Sequence, residues 1–275
     1  MKRLNLKIDG LQIDVYDKSL IRSIPMDKTV IGQELFDLVQ KRRPQKLILH
    51  LSKEFMNWIP YFNHLDFRVV NESKQAYIMH KTVEWFDSYD EELNRLEGEM
   101  IRGLPGERGH HHLVVEVLTL NENNQFLVTK RAREKAMFPM YYEITGGSVL
   151  KGESILDAAL RELKEETGLK AKPEDLVIMR KDIDLDTIYI SILNRGPYAK
   201  KTIKLQKGET MDYLWIPHTE FIKFIKGHYF VEYITERILK YISQITFETK
   251  SDQPSLESKD STEKKTLLEV MNSKK

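Results

Sequence analysis

Cysteine is absent from all 275 residues. That excludes disulfide staples, thiolate metal sites and cysteine nucleophiles. Nowhere does an apolar run approach the roughly 18 residues that a membrane-spanning helix needs. The opening MKRLNLKIDG has no signal-peptide pattern. With the missing cysteine, this gives the expectation of a cytoplasmic protein. An excess of one charge is lacking too, because 43 Lys and Arg face 42 Asp and Glu for a formal net charge of +1. No global field recruits nucleic acid or an anionic membrane, so neither is expected as a partner. What is present is 41% hydrophobic and 31% charged residues, with a mean hydropathy of −0.46. Such a chain supports one large or two modest globular domains.

Alternation at Leu4, Leu6, Ile8 and again at Leu11, Ile13, Val15, around Asp9-Gly10, predicts a hairpin. A helix over 31–41, a strand over 46–51, a helix over 53–64 and a strand pair at 67–71 and 76–81 follow. Ser88 with Glu91 reads as a capping box opening a helix to Met100. Gly103, Leu104, Pro105 and Gly106 then interrupt the pattern and mark a domain boundary. Beyond it strands are predicted at 113–120, 126–130, 176–181, 187–193 and 213–216, and helices at 219–226 and 230–242. The tail is dominated by Ser, Lys, Asp and Glu, and is expected to be disordered. The predicted organisation is an accessory domain over 1–102, a second domain over 107–248 and a charged tail over 249–275.

The chemistry concentrates between Gly147 and Leu169, GSVLKGESILDAALRELKEETGL. Ile155, Leu156, Ala159, Leu160 and Leu163 form an apolar stripe without Pro or Gly, which predicts a helix. On it Glu162, Glu165 and Glu166 stand at i, i+3 and i+4, so their carboxylates share one face. Crowded carboxylates repel, and a hard divalent cation relieves that repulsion, which suits Mg²⁺ or Mn²⁺. The stretch is similar to the Nudix box, matching it at Gly147, Glu153, Arg161, Glu162, Leu163, Glu165, Glu166, Gly168 and Leu169 without a change of spacing. An ordinary amphipathic surface helix with a Gly C-cap would require neither the Gly146-Gly147 turn nor Glu153 at its offset.

The resemblance implies an α/β/α sandwich on a mixed sheet and metal-dependent cleavage of a small-molecule diphosphate. It implies metal ligands at Glu162, Glu165, Glu166 and the Gly146 carbonyl, with Arg161 orienting Glu162 and Glu153 buttressing the loop. Many members add a glutamate from a later loop as ligand or general base, and Glu209 in KGETMDYLW is the candidate. Lys130, Arg131 and Arg133, between a strand and the box, are candidates for substrate phosphates. Phe138, Tyr141 and Tyr142 are candidates for a base-stacking pocket, with packing against the sheet as the alternative for Tyr142. His110, His111 and His112 begin a strand, point in alternating directions and cannot all ligate one ion.

The expected substrate is a nucleoside diphosphate linked to another moiety. VTKRAREKAMFP with YYEITGG is similar to the branch holding isopentenyl diphosphate isomerase, whose best-known form needs a cysteine that this chain lacks. LVTKRA partly resembles the motif of coenzyme A pyrophosphatases, so CoA, acyl-CoA and isoprenoid diphosphates stand as alternatives. A ligand-sensing Nudix regulator is the rival of another class, although such proteins often carry a degraded box and a basic recognition helix. The first hundred residues, through NWIPYFNHLDFRVVNESKQAYIMHK, resemble half of a GNAT acetyltransferase domain. Asp66 departs from that family's glycine, and DKTVIG keeps only Gly32 of its acetyl-CoA loop. An accessory or dimerisation α/β domain, through which a homodimer could form, is therefore expected there, without acetyl transfer.

Overall fold

The computed structural model describes residues 3–8, 11–16, 30–104, 106–135 and 137–247. The Asp9-Gly10 turn and the charged tail lie outside them. The chain divides into two compact units, Met1–Asp90 with Arg95–His112 and Leu150–Gly152, and Glu91–Asn94 with Leu113–Val149 and Glu153–Lys275. Among the described residues no helix is long and apolar enough to cross a membrane.

The first unit contains β1 (Arg3–Ile8), β2 (Leu11–Tyr16), α1 (Val30–Arg42), β3 (Lys46–Ser52), α2 (Ile59–His64), β4 (Arg68–Glu72) and β5 (Ala76–Thr82). Its five-stranded sheet has the order β2-β1-β3-β5-β4, with every pairing antiparallel. Along β3, Leu47, Leu49 and Leu51 are buried between less buried neighbours, the period of two that faces a strand onto a core. They meet Leu35 and Val39 of α1 and Phe62, Phe67 and Met79. At the sheet's end, all five residues of β4 are exposed.

The helix predicted from Ser88 to Met100 is not there. The segment forms two antiparallel strands, β6 (Trp85–Tyr89) and β7 (Arg95–Ile101), in register Phe86↔Met100 and Asp87↔Glu99. Trp85, Phe86 and Tyr89 are the aromatic residues that strands favour, and Leu93 and Gly98 take positive φ of 66° and 104° that a continuous helix excludes. The Ser88 hydroxyl caps nothing; it lies 2.6 Å from His110 Nδ1.

The second unit contains β8 (His112–Asn121), β9 (Gln125–Arg131), β10 (Tyr142–Glu143), β11 (Thr145–Ser148), α3 (Ile155–Thr167), β12 (Leu176–Asp184), β13 (Thr187–Gly196), β14 (Thr210–Pro217), α4 (His218–Gly227) and α5 (Glu232–Leu239). Seven strands form one sheet, β10-β9-β8-β13-β12, with β11 on β8 and β14 on β9. Consecutive residues of β9 divide between two cores. Phe126 and Val128 join Phe221, Phe224, Ile234 and Ile238 of α4 and α5. Leu127 joins Leu163 of α3 with Leu169, Tyr198 and Ile203. Both faces of the sheet are thus covered, which is the expected α/β/α sandwich.

Most of its pairings are antiparallel. Contacts across β8 and β13 instead ascend together. Arg237 reaches Glu116 at 2.8 Å and lies 3.8 Å from the Tyr189 ring centroid, while Asn194 Nδ2 donates to Thr119 Oγ1 at 3.2 Å. That order is the mark of a parallel neighbour, so the sheet is mixed.

Candidate active site

Two glycines set how closely the box packs. A Cβ on Gly146, in β11, would come within 2.6 Å of the Val115 carbonyl oxygen on β8. At Gly147 the volume of a Cβ is taken by the Glu162 carboxylate. Any larger residue at 147 therefore competes with a candidate metal ligand for space.

The helix α3 is closed at both ends by local chemistry. Ser154 Oγ accepts the Asp157 N–H at 3.1 Å, and Gly168 ends the helix at φ +72° with its N–H on the Lys164 carbonyl. Its buried stripe is Ile155, Ala158, Ala159, Leu163, Glu166 and Thr167. Glu166 thus lies on the core-facing side, whereas the Glu165 side chain is 49% exposed. Although the three glutamates share a face by spacing, the fold places them at different depths.

Arg161 ties the loop to the helix. It donates to both oxygens of Glu153 at 2.8 and 2.9 Å, to the Ser148 carbonyl at 3.0 Å and to Glu162 at 2.6 Å. A fork with several donors satisfies that set, as a lysine could not. The bonds to Glu153, then those to Glu162, hold the guanidinium's pKa above its ordinary value against the effect of burial.

Burial raises the Glu162 pKa, with the charges of Glu165 and Glu153 adding and Arg161 opposing. Glu166 is pushed well above 4.5, first by burial and then by the charges of Glu143, Glu162 and Glu209, with Lys135 opposing. Its Oε2 is buried without a hydrogen-bond partner. Glu143 also rises through burial, against the pull of Arg131. Four carboxylates therefore act on one another here. Among the described residues no three of them already converge on one point, since Glu162 turns to Arg161 and Glu209 to Lys135.

Glu209 is brought within electrostatic reach of Glu166 from the loop before β14, and its carbonyl accepts the Ala132 N–H at 2.8 Å. Arg131 is engaged elsewhere than the sequence suggests, bonding Glu143 at 2.6 Å and the Met137 carbonyl at 3.0 Å. Lys130 lies 5.1 Å from the Tyr142 ring centroid, and Arg133 is exposed. Tyr142 packs edge-on against Phe224 at 5.3 Å, on the sheet's α4 side. Phe138 instead meets Tyr141 at 5.6 Å and Tyr233 of α5 at 5.5 Å. In the first unit His110 bonds Ser88 and His112 stacks on Phe86.

Sequence reasoning passed over Glu143, Lys135 and Tyr233. Glu143 sits in a strand of two residues, too short for alternation to register. Its place is set by the pairing Glu143↔Thr129 and by the bond from Arg131.

A family model for the NUDIX domain matches residues 110–237. An uncharacterized Nudix hydrolase of Listeria innocua is 41% identical over 87 residues, which are 31% of this chain and 51% of that protein. An m7GpppN-mRNA hydrolase of Danio rerio is 44% identical over 62 residues, 22% of this chain and 21% of the relative. The chain thus spans about half or less of the length of these curated relatives. An uncharacterized Nudix hydrolase of Clostridium acetobutylicum is 31% identical over 156 residues, 52% of this chain and 74% of that protein. With a likeness reaching across that much of a whole relative, and the box intact on its loop and helix, the chain belongs to the Nudix hydrolase family.

Proposed function

We propose that this protein is a divalent-metal-dependent hydrolase that cleaves the diphosphate linkage of a nucleoside diphosphate joined to another moiety. The observation that carries the reading is Glu166. A buried carboxylate with an unpartnered oxygen, pressed by three other carboxylates, is costly unless a cation meets it. The all-oxygen donor set suits Mg²⁺ or Mn²⁺. Glu162, Glu165, Glu166 and the Gly146 carbonyl would hold the ion. Such an ion supplies neutralisation of the diphosphate charge and acidifies water.

The chain's own residues divide the remaining work. Arg161 orients Glu162 through its bond of 2.6 Å. Glu209 takes the proton of the attacking water, and Arg133 and Lys130 meet the outer phosphates. Arg131 is assigned to hold Glu143, because that bond engages its guanidinium. Phe138 and Tyr233, which pack edge to face on each other at 5.5 Å, are assigned to receive a planar base. A nucleotide substrate is supported by the Danio rerio relative, named for its action on m7GpppN-mRNA. The first unit is assigned self-association through β4, supported by that strand's exposed edge and by Val69 and Val70 at 43% and 52% exposure. A cytoplasmic setting suits this chemistry.

The test is phosphate release from ADP-ribose, NADH, CoA, nucleoside triphosphates, sugar nucleotides and isopentenyl diphosphate, with Mg²⁺, with Mn²⁺ and with chelator. One preferred nucleoside diphosphate derivative, cleaved only with metal and not by Glu166→Gln, is the expected result. Turnover that survives both chelation and Glu166→Gln would sink the metal-site reading.

A further inference from the structure

One cation in the acidic cluster belongs to no part of the box. Lys135 lies in the loop after β9, its side chain 24% exposed, and its ammonium bonds the Glu209 carboxylate. The loop is anchored where it does so. The Lys135 N–H donates to the Ala132 carbonyl at 3.2 Å, and Ala132 donates to the Glu209 carbonyl at 2.8 Å. The same ammonium is the positive charge that offsets repulsion on Glu166, and it also favours the charged form of Glu143. Two other nearby cations are committed elsewhere, Arg131 to Glu143 and the Met137 carbonyl, Arg161 to Glu153, Glu162 and the Ser148 carbonyl.

An ammonium and a divalent ion drawn to the same carboxylates repel each other and compete. The ammonium is the partner that can leave, since it rides on a flexible four-carbon stem in a loop. A diphosphate beside the cluster is the nearest place for a displaced cation to find negative charge. We propose that Lys135, held on Glu209, competes with the divalent ion for the acidic cluster around Glu166, and that on losing it becomes the residue that grips the substrate's diphosphate. This rests on the metal-site reading above. It assigns phosphate recognition to a lysine that motif and spacing left unmarked.

The two roles predict effects of opposite sign. In the full chain without substrate, calorimetric titration with Mn²⁺ should show Lys135→Gln binding about two- to fivefold more tightly than the unaltered protein, the range of a partly exposed ion pair. Its KM for the preferred diphosphate should rise by a comparable or larger factor, and Lys135→Arg should restore both values. Mn²⁺ affinity in Lys135→Gln that is unchanged or weaker overturns the competition. Tighter Mn²⁺ binding with an unchanged KM overturns the phosphate role. A Glu166→Gln control keeps the two readings apart. Binding that disappears in Glu166→Gln but ignores Lys135 preserves the metal site and removes this inference. No Mn²⁺ binding to the unaltered protein removes both.

Discussion

Gly147→Ala isolates the link between backbone approach and the Glu162 carboxylate. The added methyl would occupy the space of that carboxylate. The obstacle is the far end of a flexible side chain, so the chain yields by turning Glu162 away. Overpacking that a rotamer change can relieve belongs at the low end of the usual range, about 1 kcal/mol. What is lost is the Arg161–Glu162 bond of 2.6 Å and the carboxylate's position beside Glu166. Misplacing such a group by about an ångström commonly costs about 10²-fold in rate. The expected result is kcat/KM down about 10²-fold, Mn²⁺ affinity reduced and a melting temperature only a few degrees lower. Gly146→Ala is the contrasting control, because its methyl meets the Val115 carbonyl of β8 instead. A backbone atom inside the sheet cannot turn away, so this variant should lose about 1–3 kcal/mol of stability. The reasoning is refuted if Gly147→Ala keeps activity and Mn²⁺ affinity within about threefold. It is also refuted if the two variants lose the same stability.

The box was legible because its determinants are local. A helix with three glutamates at i, i+3 and i+4, an N-cap at Ser154 and a left-handed Gly168 can be read from adjacent residues. The depth of each glutamate was not legible, because spacing gives a helix face while the sheet beneath decides burial. Ser88 shows how a local signal misleads. Ser88 with Glu91 satisfies the capping-box spacing, yet the hydroxyl turns to His110, 22 residues along. A partner distant in sequence outweighs a local cap of about 1 kcal/mol. Arg131 shows the same limit. Within KRAR it reads as a phosphate candidate, and its bond to Glu143, 12 residues on and across the β9–β10 pairing, has no local signal. Both missed carboxylate partners, Glu143 and Lys135, depend on which strand lies beside which.

The remaining predictions test separate links. Arg161→Lys cannot reproduce a fork onto both Glu153 oxygens with further bonds to Ser148 and Glu162. It should lower kcat about 10-fold or more and shift the thermal melt down, and full activity would deny the guanidinium its role. Val70→Lys, on the 52% exposed position of the β4 edge, should shift any dimer to monomer in light scattering without changing turnover per chain. An unmoved dimer would place the contact elsewhere. The last prediction concerns acid and base. Glu166 has a native pKa well above the 4.5 of an ordinary glutamate, because of its burial and the nearby Glu143, Glu162 and Glu209, with Lys135 opposing. A carboxyl raised in the native state binds its proton more tightly there than in the unfolded chain. Its stabilising contribution is whole below pH 4.5 and is lost as pH rises through the native value. In chelator, stability should therefore fall from pH 4.5 toward neutrality. Glu166→Gln, which cannot ionise, should flatten that fall and be more stable than the unaltered protein at pH 8 by about 1–3 kcal/mol, the scale of an unsatisfied buried group. Saturating Mn²⁺ should reverse the order, stabilising the glutamate protein and leaving the glutamine variant behind. Parallel pH profiles for the two proteins in chelator would mean that Glu166 ionises without strain, and the argument from its burial would fail.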